Sequence, residues 1–395
     1  MVFKGKILQG GYLKVSDCMK KVKTKILVLM NSYGGESRLT NLFILNLDKE
    51  RFEAKVCYLK GKSEVPDTLD KAGLSLYLMS KRGKPDFNTV TKLGKVLKDF
   101  RPDIIHCHRF DATLVGLLAS MFYGVGKVVS HVHGLNRIRG IRRKLIARVL
   151  FKKLAKTICV SNTVKGHMVE TSSYFNENNV TVLHNAVDAN LVSYGDKKKS
   201  KAIEELGIST DTFNMVNVGR LVPTKGQSYL IDAFAEACKE NSRLRLYFIG
   251  DGRLKDELKA QAHSLGVGDK VNFLGFRKDI LDLLCAFDLF VFSSVNEGLP
   301  LSIIEAMAAE LPVLTTSAGG IPEVFGKGGF GEMVDTKDSI ALKRGILKLS
   351  SLDNEILRGL GKNARQKVVD CFSAESINSN LEKIYTEIMG GSNER

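Results

Sequence analysis

The feature that most constrains the fold of this chain is a repeated alternation of short apolar segments with stretches of helix length. The apolar segments are rich in Val, Ile and Leu, which is typical of parallel strands covered by helices on both faces. Seven such strands are predicted in the first half, at 25–30, 54–59, 74–78, 103–107, 127–133, 157–160 and 180–183. The second half repeats the plan, at 213–218, 244–249, 271–274, 288–292, 312–315 and 331–334. We therefore predict an α/β protein with two doubly wound domains.

A boundary between the halves is predicted within residues 188–211, which are rich in charge and poor in large apolar side chains. We expect residues 1–190 and 191–375 to form one domain each, and residues 376–395 to form a helix that crosses back to the first domain. The basic residues before 25 receive no assignment. Ligands of such sheets bind at the carboxyl ends of the strands, so two facing domains would enclose a binding cleft.

Composition supports a globular protein of the cytoplasm. Of the 395 residues, 44% are hydrophobic and 26% charged, which are ordinary values for a soluble fold. The longest charge-free apolar stretch, residues 112–126, is shorter than the roughly 20 residues that span a bilayer. The 7 cysteines are odd in number and form no Cys-x-x-Cys, which indicates a reduced protein without a disulfide framework or a thiolate zinc site.

The net charge of +16 is concentrated in the first half. Residues 1–190 contain 33 Lys and Arg against 15 Asp and Glu, a net charge of +18. The remaining residues contain 26 and 28, a net charge of −2. A basic half joined to a near-neutral half indicates that the first half meets an anionic partner: a membrane surface, a phosphorylated substrate or a nucleic acid.

The most specific motif begins at Glu297, directly after a predicted strand, and reads Glu-Gly-Leu-Pro-Leu-Ser-Ile-Ile-Glu-Ala-Met-Ala. Pro300 suits the first turn of a helix, where its missing N–H is not needed. Glu297 would then lie in the loop before the helix, with Glu305 about two turns along it. Exposed N–H groups near 298–302 would favour an anion, and the two carboxylates could grip hydroxyls on either side of it.

A second motif at 218–226 reads Val-Gly-Arg-Leu-Val-Pro-Thr-Lys-Gly and also follows a strand. Gly219 allows the backbone to approach a ligand closely. Arg220 can bind bidentately and Lys225 adds a point charge, a pair that suits a diphosphate. Two surface cations flanking a turn would give the same local pattern, so the assignment depends on the neighbouring motifs.

Three glycine-containing turns follow other strands, at 34–35, 250–252 and 319–323. Each is weak by itself, because glycine pairs mostly serve turn geometry. No Gly-x-Gly-x-x-Gly directly follows a predicted strand, since the one at 326–331 precedes a strand, and the chain has no Gly-x-x-x-x-Gly-Lys-Ser/Thr. Both observations count against a dinucleotide-dependent dehydrogenase and against a P-loop ATPase.

Together these motifs resemble the family 4 retaining glycosyltransferases, which use nucleotide sugars and have the GT-B architecture of two Rossmann-like domains with a cleft between them. The resemblance is carried by the string from Glu297 to Glu305, by 219–226, 250–252 and 319–323, and by Cys159-Val-Ser161 and Asn185-Ala-Val-Asp188. These stand in family order across nearly the whole chain from residue 25. One departure is Ala186, where the family more often has Gly, which affects little beyond local turn geometry.

The resemblance implies a role for each matching residue. The residues implied to take part directly in transfer are His133, Arg220, Lys225 and Glu297. Of these, Arg220 and Lys225 would bind the donor diphosphate, Glu297 would hold hydroxyls of the donor sugar, and His133 would lie near the transferred sugar. The donor site would also include Gly34, Gly35, Gly219, Phe276, Arg277, Gly298, Leu299, Pro300, Leu301 and Glu305. Glu305 would bind the ribose, and Phe276 with Arg277 would lie beside the base.

Four histidines come in two i, i+2 pairs on predicted strands, His106 with His108 and His131 with His133. Each pair is expected to share one strand face. Four imidazoles could form a zinc site, but no thiolate or carboxylate spacing supports one. The chain contains no Asp-x-Asp, and the family resemblance implies catalysis without a bound metal. We therefore expect neither a metal nor another cofactor, apart from the nucleotide sugar as co-substrate.

Residues 137–156 combine nine cations with apolar residues at roughly helical spacing. A basic amphipathic helix can lie on an anionic bilayer, where each cation contributes about 1 kcal/mol. The same pattern also fits a helix whose apolar face packs on its own sheet while its charges are solvated. In the first case, the candidate contacts with membrane or acceptor are Arg139, Arg142, Arg143 and Lys144.

The resulting interpretation is a retaining hexosyltransferase-type enzyme of the cytoplasm. It would transfer a sugar from a nucleoside diphosphate donor, UDP favoured over GDP, to a membrane- or lipid-linked glycan acceptor. The first domain would bind the acceptor and the second the donor. The expected pathway is bacterial surface polysaccharide or lipopolysaccharide assembly, with peripheral attachment to the cytoplasmic face of the inner membrane.

Alternative functions remain open from the sequence. A sugar-nucleotide epimerase or a phosphorylase would have a similar two-domain cleft. A nucleic-acid- or membrane-binding protein would account for the net charge alone, but the chain has no Trp and no aromatic stacking signature, so no nucleic acid is expected. A catalytically inactive nucleotide-sugar binding module is disfavoured by the intact glutamates and cations.

Overall fold

The structure is a computed structural model that describes residues 22–32, 35–60, 69, 72, 74, 76–78, 87–135, 141–192 and 196–390. Each strand predicted from the sequence is found, with bounds that differ by no more than 2 residues. The strands form two fully parallel sheets, one in each half of the chain. The predicted α/β class with two doubly wound domains is therefore confirmed.

The first sheet has seven strands in the order β3-β2-β1-β4-β5-β6-β7. Their bounds are β1 Thr24–Ser32, β2 Phe52–Lys60, β3 Leu76–Leu78, β4 Ile104–His108, β5 Lys127–Val132, β6 Lys156–Cys159 and β7 Val180–Val182. The order reverses between β1 and β4, and this reversal creates the crevice where sheets of this type bind ligands.

The second sheet has six strands in the order β10-β9-β8-β11-β12-β13, so it repeats the same winding. Its strands are β8 Phe213–Val218, β9 Leu244–Ile249, β10 Val271–Gly275, β11 Leu289–Phe292, β12 Val313–Thr316 and β13 Gly331–Val334. One buried apolar cluster runs continuously from the first sheet into the second, so the two halves pack against each other.

Helices connect the strands and cover both sheets. Those of the first half are α1 Gly35–Leu45, α2 Phe87–Phe100, α3 Arg109–Tyr123, α4 Ile141–Leu150 and α5 Asn162–Thr171. Those of the second half are α6 Asp196–Leu206, α7 Gln227–Cys238, α8 Lys255–Ser264, α9 Ile280–Leu283, α10 Leu301–Ala308, α11 Ile321–Phe325, α12 Ser339–Ser350, α13 Asn354–Cys371 and α14 Ala374–Gly390. None of these described helices combines the length and the apolar character needed to cross a bilayer.

The charged segment between the halves differs from expectation because it contains the helix α6. Three apolar side chains of this segment, Ala202, Ile203 and Leu206, join the core cluster. The helix packs against α9 and the turn 284–286 of the second domain. The sequence does not predict this helix, because its lysines and glutamates outnumber the few apolar residues that form its packed face.

The last helix, α14, lies on the first domain although it follows the second in sequence. Asn378 Nδ2 donates to the carbonyl oxygen of Phe43 at 2.9 Å, and Glu382 accepts from the N–H of Asp48 at 2.8 Å. Leu381 and Tyr385 are buried in the core on this face of the first sheet. The helix therefore ties the end of the chain to the first domain.

The packing of α14 predicts that Leu381→Ala lowers the free energy of unfolding by about 2–5 kcal/mol, because it leaves a cavity in a filled core. Lys383→Ala, on the exposed side of the same helix, is the matched control and should change it by less than about 0.5 kcal/mol. Chemical denaturation of the full chain measures both variants. Equal stability of the two would show that α14 is not a structural part of the first domain.

Candidate active site

The predicted motifs converge where the carboxyl ends of the two sheets face each other. In the second domain, Gly219 follows β8, and the loop containing Glu297 follows the neighbouring strand β11. In the first domain, His133 follows β5 and Ser161 follows β6. His133 therefore lies just beyond the strand end rather than within the strand as predicted. The convergence results from the parallel winding, which places every strand-end loop on the same edge.

The most buried charged pair in this cleft joins Lys225 to Glu297. Lys225 Nζ lies 2.5 Å from Glu297 Oε1, and Ser294 Oγ also lies 2.5 Å from that oxygen. The ammonium group sits 4.9 Å from the centre of the Phe292 ring. An ammonium has three donor hydrogens, so Lys225 retains capacity to bind an anion while it holds Glu297 in place.

Arg220 is exposed beside this pair, and its backbone is held from two sides. Gln227 Nε2 donates to the carbonyl oxygen of Arg220 at 3.0 Å. A Cβ built on Gly250 would lie 1.9 Å from the carbonyl oxygen of Gly219, so only glycine fits where the turns after β8 and β9 touch. The glycines of 250–252 therefore serve the position of Gly219 and Arg220 rather than a ligand directly.

Gly298 is the point where the backbones of the two domains come into contact. A Cβ on Gly298 would lie 2.4 Å from the carbonyl oxygen of His133 in the first domain. On its other side, the N–H of Gly320 donates to the carbonyl oxygen of Gly298 at 3.0 Å. Ser161 Oγ donates to the same carbonyl oxygen at 3.1 Å. The sequence does not predict these contacts, although Ser161 belongs to a motif that carries the family resemblance.

The rest of the Glu297 string continues into α10. Pro300 immediately precedes the helix, one position earlier than the predicted first turn. Leu299 is buried, and its carbonyl oxygen accepts from Asn185 Nδ2 of the first domain at 2.5 Å. Leu301 and Glu305 line a cavity of about 90 Å³ between the domains. Glu305 is thus buried at the cleft, and its role at a ribose stays a prediction.

The remaining predicted donor residues differ in their exposure and in their contacts. Phe276 is exposed after Gly275, whose φ of +71° favours glycine. The guanidinium of Arg277 is bound to the carboxylates of Glu205 and Asp279, so its side chain braces the linker helix α6. Only the backbone at Arg277 would then be available to a base. Gly35 begins α1, and Gly34 lies outside the described residues.

The four histidines form two hydrogen-bonded pairs that stack on each other. His106 Nε2 lies 3.2 Å from His131 Nδ1, and His108 Nδ1 lies 2.9 Å from His133 Nε2. The rings of His106 and His108 stack at 4.6 Å, and those of His131 and His133 at 4.4 Å. The expectation that each i, i+2 pair shares one strand face is confirmed. His133 is therefore held at the cleft by a hydrogen bond to His108 and by stacking on His131.

This stack has some features of a metal site, but its ring geometry favours hydrogen bonding. Ligand nitrogens of His106, His108 and His131 lie within 4.8 Å of one another. The rings are close to parallel, and a ring nitrogen binds a metal in the plane of its own ring, so stacked rings do not aim their lone pairs at one ion. His106 Nδ1 is also hydrogen-bonded to Tyr385 Oη, which lies 2.6 Å away. Within the described residues, His131 Nε2 has no hydrogen-bond partner.

The basic helix α4 packs one face on the core and leaves a stripe of apolar side chains exposed on another. Ile141, Leu145 and Val149, spaced four residues apart, are 79%, 59% and 68% exposed. Arg143 Nη2 lies 3.3 Å from Asp111 Oδ1, and its guanidinium covers the ring of Phe110. Lys144 is exposed on the same helix. Of the other predicted contacts, Arg139 and the side chain of Arg142 lie outside the described residues.

The buried histidine stack predicts that the free energy of unfolding falls as the pH is lowered. Burial, with a smaller contribution from His133, lowers the pKa of His106 from 6.5 to about 3. At a pH between about 3 and 6.5, His106 therefore binds a proton in the unfolded chain but stays neutral in the folded chain. The stability contributed by neutral His106 is full above about pH 6.5 and declines as the pH falls toward 3, by about 2 kcal/mol at pH 5.

Urea denaturation at pH 7.5 and pH 5 measures this dependence. His106→Gln should reduce the difference in unfolding free energy between the two pH values, because the titrating group is gone. His263→Gln, on the exposed surface of α8, is the control and should keep it. An unchanged difference in His106→Gln would rule out His106 as its source.

Comparison with known proteins agrees with this geometry. Residues 33–191 match the model of "Glycosyltransferase Family 4", and residues 198–367 match that of "Glycosyl transferases group 1". The UDP-Gal:alpha-D-GlcNAc-diphosphoundecaprenol alpha-1,3-galactosyltransferase of Escherichia coli is 26% identical over 393 residues, covering 93% of this chain and 98% of that protein. The N-acetyl-alpha-D-glucosaminyl L-malate synthase of Bacillus anthracis is 26% identical over 308 residues, covering 77% and 80%.

Solved structures share the fold. Anabaena Alr3699/HepE in complex with UDP has a TM-score of 0.79 at 24% identity, covering 92% of this chain and 100% of that one. WaaG, a glycosyltransferase involved in lipopolysaccharide biosynthesis, has a TM-score of 0.70 at 16% identity, covering 91% and 99%. Both halves thus match in sequence and in fold, and the chain belongs to the family 4 glycosyltransferases, enzymes of GT-B architecture that use nucleotide sugars.

Proposed function

We propose that this enzyme transfers a sugar from a UDP-sugar to a lipid-linked glycan acceptor with retention of anomeric configuration. The observation that carries the proposal is the Lys225–Glu297 pair, which lies beside Arg220 at the carboxyl edge of the second sheet. The E. coli relative, whose name states a UDP-galactose donor and a diphosphoundecaprenol-linked acceptor, supports this choice of substrates. Assembly of bacterial surface polysaccharide or lipopolysaccharide is the proposed pathway.

The chemical demand of the reaction is to stabilise the charge that develops on the departing UDP. Arg220 and Lys225 supply two fixed cations for its diphosphate, and the N–H groups near Gly298 add donors of the same polarity. The proposal needs no metal ion, because these groups provide the positive charge. The preformed cations also cost little reorganisation when the charge appears.

Glu297 fits a role in holding sugar hydroxyls better than a role as nucleophile. Its Oε1 is bound to both Lys225 and Ser294, which fixes the carboxylate and reduces its nucleophilicity. We propose attack of the acceptor hydroxyl on the same face from which UDP leaves, with a donor phosphate oxygen accepting the proton. The C–O bond to UDP breaks as the new glycosidic bond forms, and His133 borders the transferred sugar from the first domain.

The donor proposal predicts that UDP raises the thermal stability of the chain without added metal, by about 2.7 kcal/mol at a hundredfold excess over its dissociation constant. Arg220→Ala should weaken UDP binding by about 10- to 100-fold, because charge-assisted hydrogen bonds are lost. Glu297→Gln should abolish transfer with little effect on UDP binding. A thermal-shift panel of UDP, GDP, ADP and NAD, with a transfer assay, measures these effects.

Arg243→Ala is the matched control, because Arg243 is exposed near the start of β9, at the opposite edge of the same sheet. It should bind UDP like the wild type. A response to NAD alone, or an equal loss in Arg220→Ala and Arg243→Ala, would contradict the proposed donor site.

We further propose that α4 rests on the anionic cytoplasmic face of the inner membrane. Its exposed apolar stripe is what membrane insertion needs, and a helix that only covered its own sheet would have buried it. Arg143, Lys144 and Arg148 add attraction to anionic lipid. The ion pair of Arg143 with Asp111 joins α4 to the start of α3, directly after His108. A docked helix would thus place the cleft close to a lipid-linked acceptor.

This surface predicts binding to vesicles containing phosphatidylglycerol and not to vesicles of phosphatidylcholine alone, with loss at high salt. Leu145→Asn and Val149→Asn should each weaken the binding by about tenfold, because each removes an inserted apolar side chain. Leu265→Asn, at an exposed leucine of the second domain, is the control. Co-sedimentation that ignores lipid charge and salt would contradict the proposal.

A further inference from the structure

Glu323 lies on α11 of the second domain, yet within the described residues its carboxylate bonds only to the first domain. It accepts hydrogen bonds from the backbone N–H groups of Asn162 at 2.8 Å and Thr163 at 2.9 Å. Asn162 Nδ2 donates to it at 2.8 Å and Thr163 Oγ1 at 3.1 Å. His184 Nε2 lies 3.2 Å from the same carboxylate. One side chain therefore makes five contacts across the cleft.

Apart from His184, the partners of Glu323 are the first residues of α5, whose N–H groups have no acceptor within the helix. A carboxylate at this end also meets the positive end of the helix dipole. Ser161 Oγ accepts from the N–H of Val164 at 3.2 Å, so Ser161 and Glu323 together cap the helix from both domains. Although burial opposes it, the hydrogen bonds from His184, Asn162 and Thr163 lower the pKa of Glu323 to about 2, so the carboxylate is charged at neutral pH.

The start of α5 is also bonded to the loops that form the donor site. Thr163 Oγ1 shares its one hydrogen between Glu323 and the carbonyl oxygen of Gly319, which also lies 3.1 Å away, and Ser161 Oγ donates to the carbonyl oxygen of Gly298. Gly319 packs so closely on Glu297 that an added Cβ would lie 2.0 Å from the Glu297 carbonyl oxygen. A displacement of α5 would therefore be transmitted to the backbone that carries Glu297.

We propose that Glu323 is a positioning residue that holds the first domain against the donor loop in the arrangement required for sugar transfer. It does not touch the reacting atoms and acts through the start of α5. Its effect should appear in the rate of transfer, which needs both domains, rather than in nucleotide affinity, which depends mainly on the second. The kinetic part of this inference rests on the UDP-sugar transfer proposed above, and the structural part does not.

The test compares Glu323→Gln and Glu323→Ala with Glu332→Gln in the full chain. Glu332 is the matched control, because its carboxylate bonds to Lys348 of its own domain at 2.5 Å. Hydrogen exchange of the peptide containing Asn162 and Thr163 should accelerate only in the Glu323 variants. Small-angle scattering should show a larger radius of gyration for these variants alone.

The kinetic arm measures UDP affinity by calorimetry and kcat for transfer. For both Glu323 variants, UDP affinity should stay within about twofold of wild type, since the donor site is a separate set of contacts. Their kcat should fall by about 100-fold, the scale of a misplacement of about 1 Å between reacting groups.

Unchanged exchange and scattering in Glu323→Ala would overturn the inference whatever the substrate is. Wild-type kcat in that variant would also overturn it. A parallel loss of kcat, UDP affinity and thermal stability would overturn it by assigning Glu323 a merely structural role. If wild type itself neither binds UDP nor transfers sugar, the proposed function fails, and exchange and scattering still decide the role of Glu323.

Discussion

The active cleft depends on the contact of three backbone segments at Gly298. This residue has the His133 carbonyl of the first domain on one side and Gly320 of its own domain on the other. Neither glycine can carry a side chain without displacing backbone, and displaced backbone is far costlier than a shifted rotamer. The distance between the domains is thereby set by main-chain atoms. Because Glu297 is bonded to Gly298, its backbone is held in a fixed position that faces the first domain.

The two domains contribute different kinds of polar group to the cleft. Lys225 and Glu297 neutralise each other in a largely buried position, whereas Arg220 remains exposed for an incoming anion. A buried pair contributes little net stability once desolvation is counted, so its value lies in orientation. The first domain contributes the stacked imidazoles at the cleft and exposes a group of cations on the outer surface of α4. A diphosphate would therefore be drawn to the second domain and an anionic membrane to the first.

The sequence predicted the fold and the location of the site because both depend on local rules. Apolar segments of strand length identified each strand, and their position after strand ends placed Glu297 and Arg220 at the cleft, where the family resemblance also placed His133. The remaining features depend on partners distant in sequence. The pairing of His108 with His133 needs the register of β4 against β5, and the binding of Arg277 to Glu205 needs the packing of α6. No pattern within a single segment contains such information.

The histidine stack links the cleft to the far end of the chain. Tyr385 of α14 bonds to His106, His106 to His131, and the stacked second pair ends at His133 in the cleft. A buried ring nitrogen of these histidines that loses its hydrogen-bond partner becomes an unsatisfied polar group, which costs free energy. Each ring therefore restricts the orientation of the ring to which it is bonded. The crossing of α14 back to the first domain therefore does more than fill the core. It completes the hydrogen-bonded pair of His106 and His131, on which the second pair, with His133, is stacked.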